Sequence, residues 1–271
     1  LSICCITYNH KNYISNAIDS FLMQKTNFSV EICIGEDDST DGTREICKKY
    51  AKKYPEKIRL FLRNRSDKIF IEGHETGRYN FIETLKKCKG KYIALCDGDD
   101  FWIDPLKLQK QFDYLETNSD VSLCYHKVES GTRKIDENIY KIKNDLSTAF
   151  IPTSSVVFVN NKKIINNIKN NGVNIISIDQ YLFYLCSFIG ELKFMDFDSD
   201  KEGIDYEKEM RRARFQYNVE DKKIVFKQVF TSNWLRKANE YLQACIDHKK
   251  LWFASRVTAH GTQFDRVSST K

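Results

Sequence analysis

No apolar run in this 271-residue chain approaches the roughly 18 to 20 residues needed to cross a bilayer, so no transmembrane helix is expected. No C-x-x-C pair occurs among the nine cysteines, Cys4, Cys5, Cys33, Cys47, Cys88, Cys96, Cys124, Cys186 and Cys245. An odd, scattered count argues against both a disulfide framework and a zinc site. Most of these cysteines sit beside Ile, Leu or Val and read as core thiols of a reducing compartment. The strand-like opening "LSICCITY" has no n-region or cleavage site, so a signal peptide is not expected. No internal repeat is visible. No recognised nucleic-acid reader accompanies the net charge of +6, which comes from lysines spread along the chain. Runs such as "KKYAKKYPEK" therefore read as solvated helix faces. The charge is compatible with anionic lipid headgroups without demonstrating them.

What is present fits an ordinary globular protein, 41% hydrophobic and 30% charged. The length suits one large domain, or one domain with an appendage, burying roughly 70–75% of its unfolded surface. From Leu1 to about Lys127, strand-like runs alternate with one-faced helical ones, the signature of βα units and a mainly parallel sheet. Strands are expected over Leu1–Tyr8, Val30–Gly35, Ile58–Leu62, Lys91–Cys96 and Val121–Tyr125. Helices are expected over Tyr13–Gln24, Thr43–Tyr54 and Tyr79–Cys88, with a fourth, "LKLQKQFDYLE", opened by Pro105. Further on, "PTSSVVFV" is strand-like, "NKKIINNIKNNG" is a helix ended by Gly172, and "SIDQYLFYLCSFIG" is an apolar helix. A charged stretch near Asp196–Val219 and a helical pattern over Asn233–Phe253 close the chain.

Three of the expected strands end in polar clusters, "ITYNH", "GEDDSTDGT" and "CDGDD". A parallel sheet gathers such ends on one edge, where ligands bind in α/β proteins. Thr7, Asn9, Glu36, Asp37, Asp38, Asp97, Asp99 and Asp100 would then meet in one crevice. So many carboxylates repel one another unless neutralised, and Mg²⁺ or Mn²⁺ is the economical partner, since both choose oxygen ligands and borrow a substrate's phosphates. If strand geometry persists, Asp97 and Asp99 point the same way, and Gly98 between them permits a positive φ. "DGDD" read alone is equally a turn followed by a helix cap, and Asp41 or Thr43 is a cap candidate in "DDSTDGTREI".

The order of these motifs is what is specific. Through "ICCITYNHKNYISNAIDSFLMQKT", "EICIGEDDSTDGTREI", "NFIETLKKCKGKYIALCDGDDFW" and "DPLKLQKQFDYLE", the first half of the chain resembles the family 2 glycosyltransferases of the GT-A fold, bacterial surface-polysaccharide branch. The resemblance implies a GT-A catalytic domain over 1–195, with a nucleotide-sugar half at 1–127 and an acceptor half at 128–195, followed by a charged, helical extension over 196–271. It implies an inverting, metal-dependent transfer of a hexose or N-acetylhexosamine from a UDP-sugar to a glycan or lipid-linked saccharide. Thr7, Tyr8 and Asn9 match the loop lining the nucleoside, and Asp37 matches the acceptor for uracil N3–H, with Glu36 where an Asp is more usual. Asp97 would lie by the ribose or sugar, Gly98 belongs to the same donor loop, and Asp99 would hold Mn²⁺ or Mg²⁺. Asp179, in "ISIDQYLFYL", matches the base. Asp100 and Trp102 read as acceptor-side residues or, equally, as a cap and a core aromatic.

The chain departs from the family where relatives carry a "YR.H..G.S"-like stretch. Here "FMDFDSDKEGIDYEKEMRRARF" stands instead, with Arg211, Arg212 and Arg214 as conceivable phosphate clamps and His248 or His260 as remote substitutes. A sugar nucleotidyltransferase would carry a Gly-rich phosphate loop where "TYNHKNY" lies. A glycosidase would need no nucleotide, and a non-catalytic nucleotide-sugar or glycan-binding module is the other alternative. The resemblance and the lack of export signals imply a cytoplasmic protein, with peripheral docking at the inner membrane face.

Overall fold

The computed structural model describes residues 1–71, 74–128, 151–172 and 177–195. The charged stretch and helical extension expected over 196–271 lie outside the described residues, as do Arg211, Arg212, Arg214, His248 and His260. The elements run β1 (Ser2–Thr7), α1 (Ile14–Leu22), β2 (Glu31–Glu36), α2 (Thr43–Lys53), β3 (Ile58–Leu62), β4 (Ile69–Ile71), β5 (His74–Thr76), α3 (Arg78–Leu85), β6 (Tyr92–Leu95), α4 (Lys107–Thr117), β7 (Val121–His126), β8 (Val157–Val159), α5 (Lys162–Asn171), α6 (Ile178–Ser187) and β9 (Glu191–Met195).

Seven strands form one sheet in the order β3-β2-β1-β6-β8-β7-β9, and β4 pairs with β5 in a separate hairpin. β1, β2, β3 and β6 are mutually parallel, β8 is antiparallel to both β6 and β7, and β9 runs parallel to β7. Six strands thus share one direction. The expected sheet is therefore present, mainly parallel and flanked by helices.

Periodicity explains the layers. Ile14, Ala17, Ile18 and Phe21 bury one stripe of α1 against Ile3, Cys5, Ile32 and Ile34, joined by Trp102 and Leu108. Along β2 successive side chains alternate faces, so Glu36 turns toward α2 while Gly35 turns toward α3. The close approach of α3 requires that glycine: a Cβ there would lie 2.1 Å from Asn80 Oδ1 and from Thr84 Oγ1. In its absence Asn80 Nδ2 donates to the Gly35 carbonyl at 2.8 Å. All eight described cysteines are free and buried, as core thiols should be.

Three local expectations need correction. The strand before "DGDD" stops at Leu95, and the Asp100 N–H donates to Asp97 O at 3.1 Å, so this stretch is a turn. Strand alternation therefore does not set where Asp97 and Asp99 point. α4 begins at Lys107, with Pro105 in the turn ahead of it and Asp104 Oδ1 accepting the Leu106 N–H at 2.8 Å. "SIDQYLFYLCSFIG" is helical only to Ser187, and β9 follows from Glu191. No helix among the described residues is long and apolar enough to cross a membrane.

Candidate active site

The carboxyl ends of β2, β1 and β6 lie side by side and deliver the three polar loops to one edge. Backbone bonds extend the ladder past the strands: Asp37 N–H donates to Thr7 O at 3.0 Å and Gly98 N–H to Ile6 O at 2.9 Å. The first two loops are also stitched together. Asn9 N–H donates to Ser39 Oγ and Asn9 Oδ1 accepts from Thr40 N–H, both at 2.9 Å, while Asp41 Oδ2 accepts the Lys11 N–H at 2.9 Å. Asn9 and Asp38 sit at φ 54° and 62°, the left-handed region, where short polar side chains are tolerated. Asp41 Oδ1 takes both the N–H and the hydroxyl of Thr43, opening α2.

Adjacent carboxylates here have different fates. Glu36 is fully buried, with Oε1 accepting the Ser39 N–H at 2.8 Å and Oε2 paired with Arg44. Both oxygens therefore serve the loop. Arg44 also reaches Asp38 Oδ1 at 3.1 Å, and Asp38 Oδ2 accepts the Arg65 N–H at 3.0 Å. Asp37 is 3% exposed and stands 3.6 Å from Lys68 Nζ. Burial pushes its carboxyl above the ordinary 3.8, and the Lys68 charge only partly offsets this.

Lys68 stands next to Asp37, and Arg65 joins the same cluster through Tyr8 and Glu75. The Lys68 ammonium lies 3.6 Å from the centroid of the Tyr8 ring and 3.3 Å from Glu75 Oε2. Arg65 donates to the Tyr8 hydroxyl and to Glu75 Oε1, both at 2.7 Å. These basic groups escaped the sequence reading because they flank two strands of only three residues each, too short for periodicity to register.

Gly98 does its work through space. Among the described residues the only glycine with positive φ is Gly42, which corrects the expectation for Gly98. A Cβ on Gly98 would meet Thr7 Oγ1 at 2.5 Å, Thr7 Cβ at 2.7 Å and His10 Nδ1 at 3.0 Å. The Thr7 hydroxyl and His10 Nδ1 are buried and have no hydrogen-bond partner among the described residues. His10 Nε2 lies 3.9 Å from Asp99 Oδ2, and burial holds the imidazole below its ordinary range although Asp99 and Asp41 pull the other way. His10 was legible as the last residue of "ITYNH", yet a lone histidine after a strand carries no signal of its own.

A metal must be tested against these donors. Asp99 supplies carboxylate oxygens on a side chain 31% exposed, near His10, whose Nδ1, like the Thr7 hydroxyl, lacks a partner among the described residues. Among the described residues, no group of three or more His, Cys, Asp or Glu side chains could hold a metal ion by itself. That fits Mg²⁺ or Mn²⁺ arriving with a diphosphate, which needs one or two carboxylates rather than a closed cage.

Behind the turn, Trp102 is a core aromatic. It is 4% exposed, packs on Phe21 with ring centroids 4.9 Å apart, and donates its indole N–H to Ser154 O at 2.7 Å. Lys107 Nζ stands 4.2 Å from the Trp102 centroid and donates to Gln111 Oε1 at 2.7 Å, at 1% exposure. Burial pushes this ammonium down from 10.5 to about 8. Its charged form is thus penalised in the fold by about 3 kcal/mol, fully below pH about 8, and the penalty fades as the unfolded chain's lysine titrates near 10.5. Relative to Lys107→Met, the parent chain should gain roughly that much stability in urea unfolding between pH 7.5 and 10.5. Parallel stability curves for the two proteins would refute the buried charge.

Asp179 belongs to a different element from the three polar loops, the first turn of α6, where its carboxylate suits the helix dipole. Its Oδ2 accepts from Thr153 Oγ1 at 3.3 Å, within the "PTSS" turn that precedes β8. The buried Arg78 guanidinium is within electrostatic reach.

The chain is similar to known proteins. An uncharacterized protein of Mycobacterium tuberculosis, Rv1520, is 35% identical over 205 residues, covering 72% of this chain and 56% of its own length. The chain therefore spans little more than half of that relative. Staphylococcus aureus TarS 1-349, solved with UDP-GlcNAc, superposes with a TM-score of 0.54 at 18% identity, covering 78% of this chain and 60% of its own. A mannosyltransferase of Pyrobaculum calidifontis, solved with GDP-Man and Mn²⁺, gives a TM-score of 0.56 at 14% identity, covering 72% and 54%. These likenesses establish a shared GT-A fold. Residues 2–177, from the first strand of the parallel sheet to the residue before α6, match the family described as Glycosyl transferase family 2, and to that family the chain belongs.

Proposed function

We propose that the chain transfers a hexose or N-acetylhexosamine from a UDP-sugar to a hydroxyl of a glycan or lipid-linked saccharide, with inversion and with Mn²⁺ or Mg²⁺. The observation that carries this is the buried Asp37 carboxylate, 3.6 Å from the Lys68 ammonium that also stands over the Tyr8 ring, on the same sheet edge as Thr7, Gly98 and Asp99. A carboxylate accepts the imide N–H of uracil. Guanine offers a comparable N–H next to a carbonyl, so the two bound neighbours, one with UDP-GlcNAc and one with GDP-Man, frame the choice of donor.

Each residue then has a task. Asp37 takes the base edge, Tyr8 and Thr7 line the nucleoside, and Glu36 and Asn9 hold the loops that present them. Asp97 lies by the sugar or ribose, and Gly98 leaves room beside Thr7 and His10. Asp99 would hold the cation, which when bound offsets the charge growing on the departing diphosphate. Asp179 takes the proton of the acceptor hydroxyl as its oxygen bonds to the anomeric carbon, and the carbon–oxygen bond to the diphosphate breaks with its electron pair. Attack from the face opposite the leaving group inverts that carbon. The family resemblance supports cytoplasmic work on acceptors at the inner membrane face.

Calorimetric titration with UDP and with GDP, each with and without Mn²⁺, tests the reading. UDP should bind more tightly than GDP and more tightly with Mn²⁺, and Mn²⁺ alone should bind weakly because the protein offers it too few ligands. Acidification should weaken UDP binding with a midpoint above 3.8, since Asp37 must be ionised to accept the imide proton and burial raises its carboxyl. Tighter GDP binding would overturn the uridine assignment, and no binding of either would overturn the donor site.

A further inference from the structure

Arg78 is an expensive residue where it stands. It opens α3, where the helix dipole disfavours a cation, and it is 6% exposed. Burial depresses its guanidinium, and the Asp179 carboxylate works against that depression. One of its donors, Nη1, reaches 2.7 Å to the carbonyl oxygen of Gly172, 94 residues along the chain. Gly172 ends α5, and its contact side is closed: a Cβ there would lie 3.2 Å from Ile178 Cδ1 and 3.5 Å from Ile82 Cδ1. Ile178 begins α6, and Asp179 is the next residue. Arg78 therefore ties α3, which packs on the donor-side strands β1 and β2, to the segment that delivers Asp179.

We propose that Arg78 is the positioning residue for Asp179: its buried guanidinium fastens the end of α5 through Gly172 O and provides the fixed cation against which the Asp179 carboxylate is set, with the Thr153 hydroxyl on Asp179 Oδ2. The proposal rests on Asp179 being the base. A guanidinium suits this task because it stays charged when buried and its planar fork fixes the direction of the bond to Gly172 O while the charge acts on Asp179 through space, whereas a lysine ammonium fixes no direction.

Four chains test it: the parent, Arg78→Met, Asp179→Asn and the double variant, with Arg78→Lys as a conservative control. UDP release from UDP-glucose, UDP-galactose and UDP-N-acetylglucosamine is followed alongside UDP affinity and urea unfolding. Arg78→Met should lower kcat about 100-fold, the order expected when a reacting group is misplaced by an ångström, with donor KM and UDP affinity within about threefold. Arg78→Lys should recover part of that loss. The double variant should be no slower than Asp179→Asn alone, because the two residues act as one unit. In urea the folding equilibria of the four chains should show a coupling of about tenfold between positions 78 and 179.

Full turnover by Arg78→Met, independent losses that multiply in the double variant, or additive stabilities would each overturn the proposal while leaving the base assignment standing. Full turnover by Asp179→Asn alone would overturn the base assignment, and the proposal with it. If Arg78→Met fails to fold, Arg78→Lys decides: parental kcat in a lysine variant that binds UDP normally would also overturn it.

Discussion

Asp179→Asn is expected to cut the transfer rate by about 10³-fold while UDP affinity stays within about twofold of the parent chain. The substitution is nearly isosteric and keeps an oxygen to accept the Thr153 hydroxyl, now 3.3 Å from Asp179 Oδ2, so the local structure has no reason to change. What disappears is the ability to take a proton from the acceptor hydroxyl. Asp179 lies on α6, whereas the donor loops follow β1, β2 and β6, so donor binding should not register the change. Losing the carboxylate from the first turn of a helix costs about 0.5 kcal/mol of stability, to which the lost tenfold coupling to Arg78 adds about 1.4 kcal/mol. Pairing initial-rate measurements with a UDP titration separates the steps. Unchanged transfer would place the base on another residue, and a parallel loss of UDP binding would mean that Asp179 belongs to the donor site instead.

Asp99→Ala should abolish the Mn²⁺-dependent part of UDP binding, a loss of about 100-fold or more if the cation contributes several kcal/mol at the diphosphate. Asp99 is the carboxylate of the turn nearest to His10, and no set of three protein ligands among the described residues could retain the ion without it. The residual affinity measured without Mn²⁺ should survive, since in the proposed function Asp37 and Tyr8, not Asp99, hold the nucleoside. Calorimetry in the presence and absence of Mn²⁺ reads both terms. If Mn²⁺ still enhances UDP binding in the variant, the cation is held elsewhere. If UDP binding is lost even without metal, Asp99 supports the loop itself.

Much of the molecule could be read before any coordinates, because the elements that matter are long and periodic. α1 and α2 fall where their apolar stripes require, and β1, β2, β3, β6 and β7 fall within one or two residues of the expected strands. Periodicity was silent where elements are short: β4 and β5 have three residues each and β9 follows a helix whose apolar pattern seemed to run on to Gly190. The polar loops were recognisable as ligands of some kind, yet their division of labour was not. Glu36 and Asp37 are neighbours with the same chemistry, but the strand turns one toward Arg44 and the other toward Lys68. Gly98 was recognisable as necessary, though the reason lies in the nearness of Thr7 and His10 rather than in its φ.

The sequence by itself determined the alternation of strands and helices, the placing of three acidic or polar loops at strand ends, and hence the edge at which a ligand would be met, since a period of two or 3.6 is written residue by residue. Only the tertiary structure decided which carboxylates are spent on structure, which cations stand opposite Asp37, and that Arg78 and Asp179, about a hundred positions apart, come within electrostatic reach of one another. Contacts at that separation depend on how elements pack across the sheet, and no local pattern encodes the distance between two side chains brought together by packing.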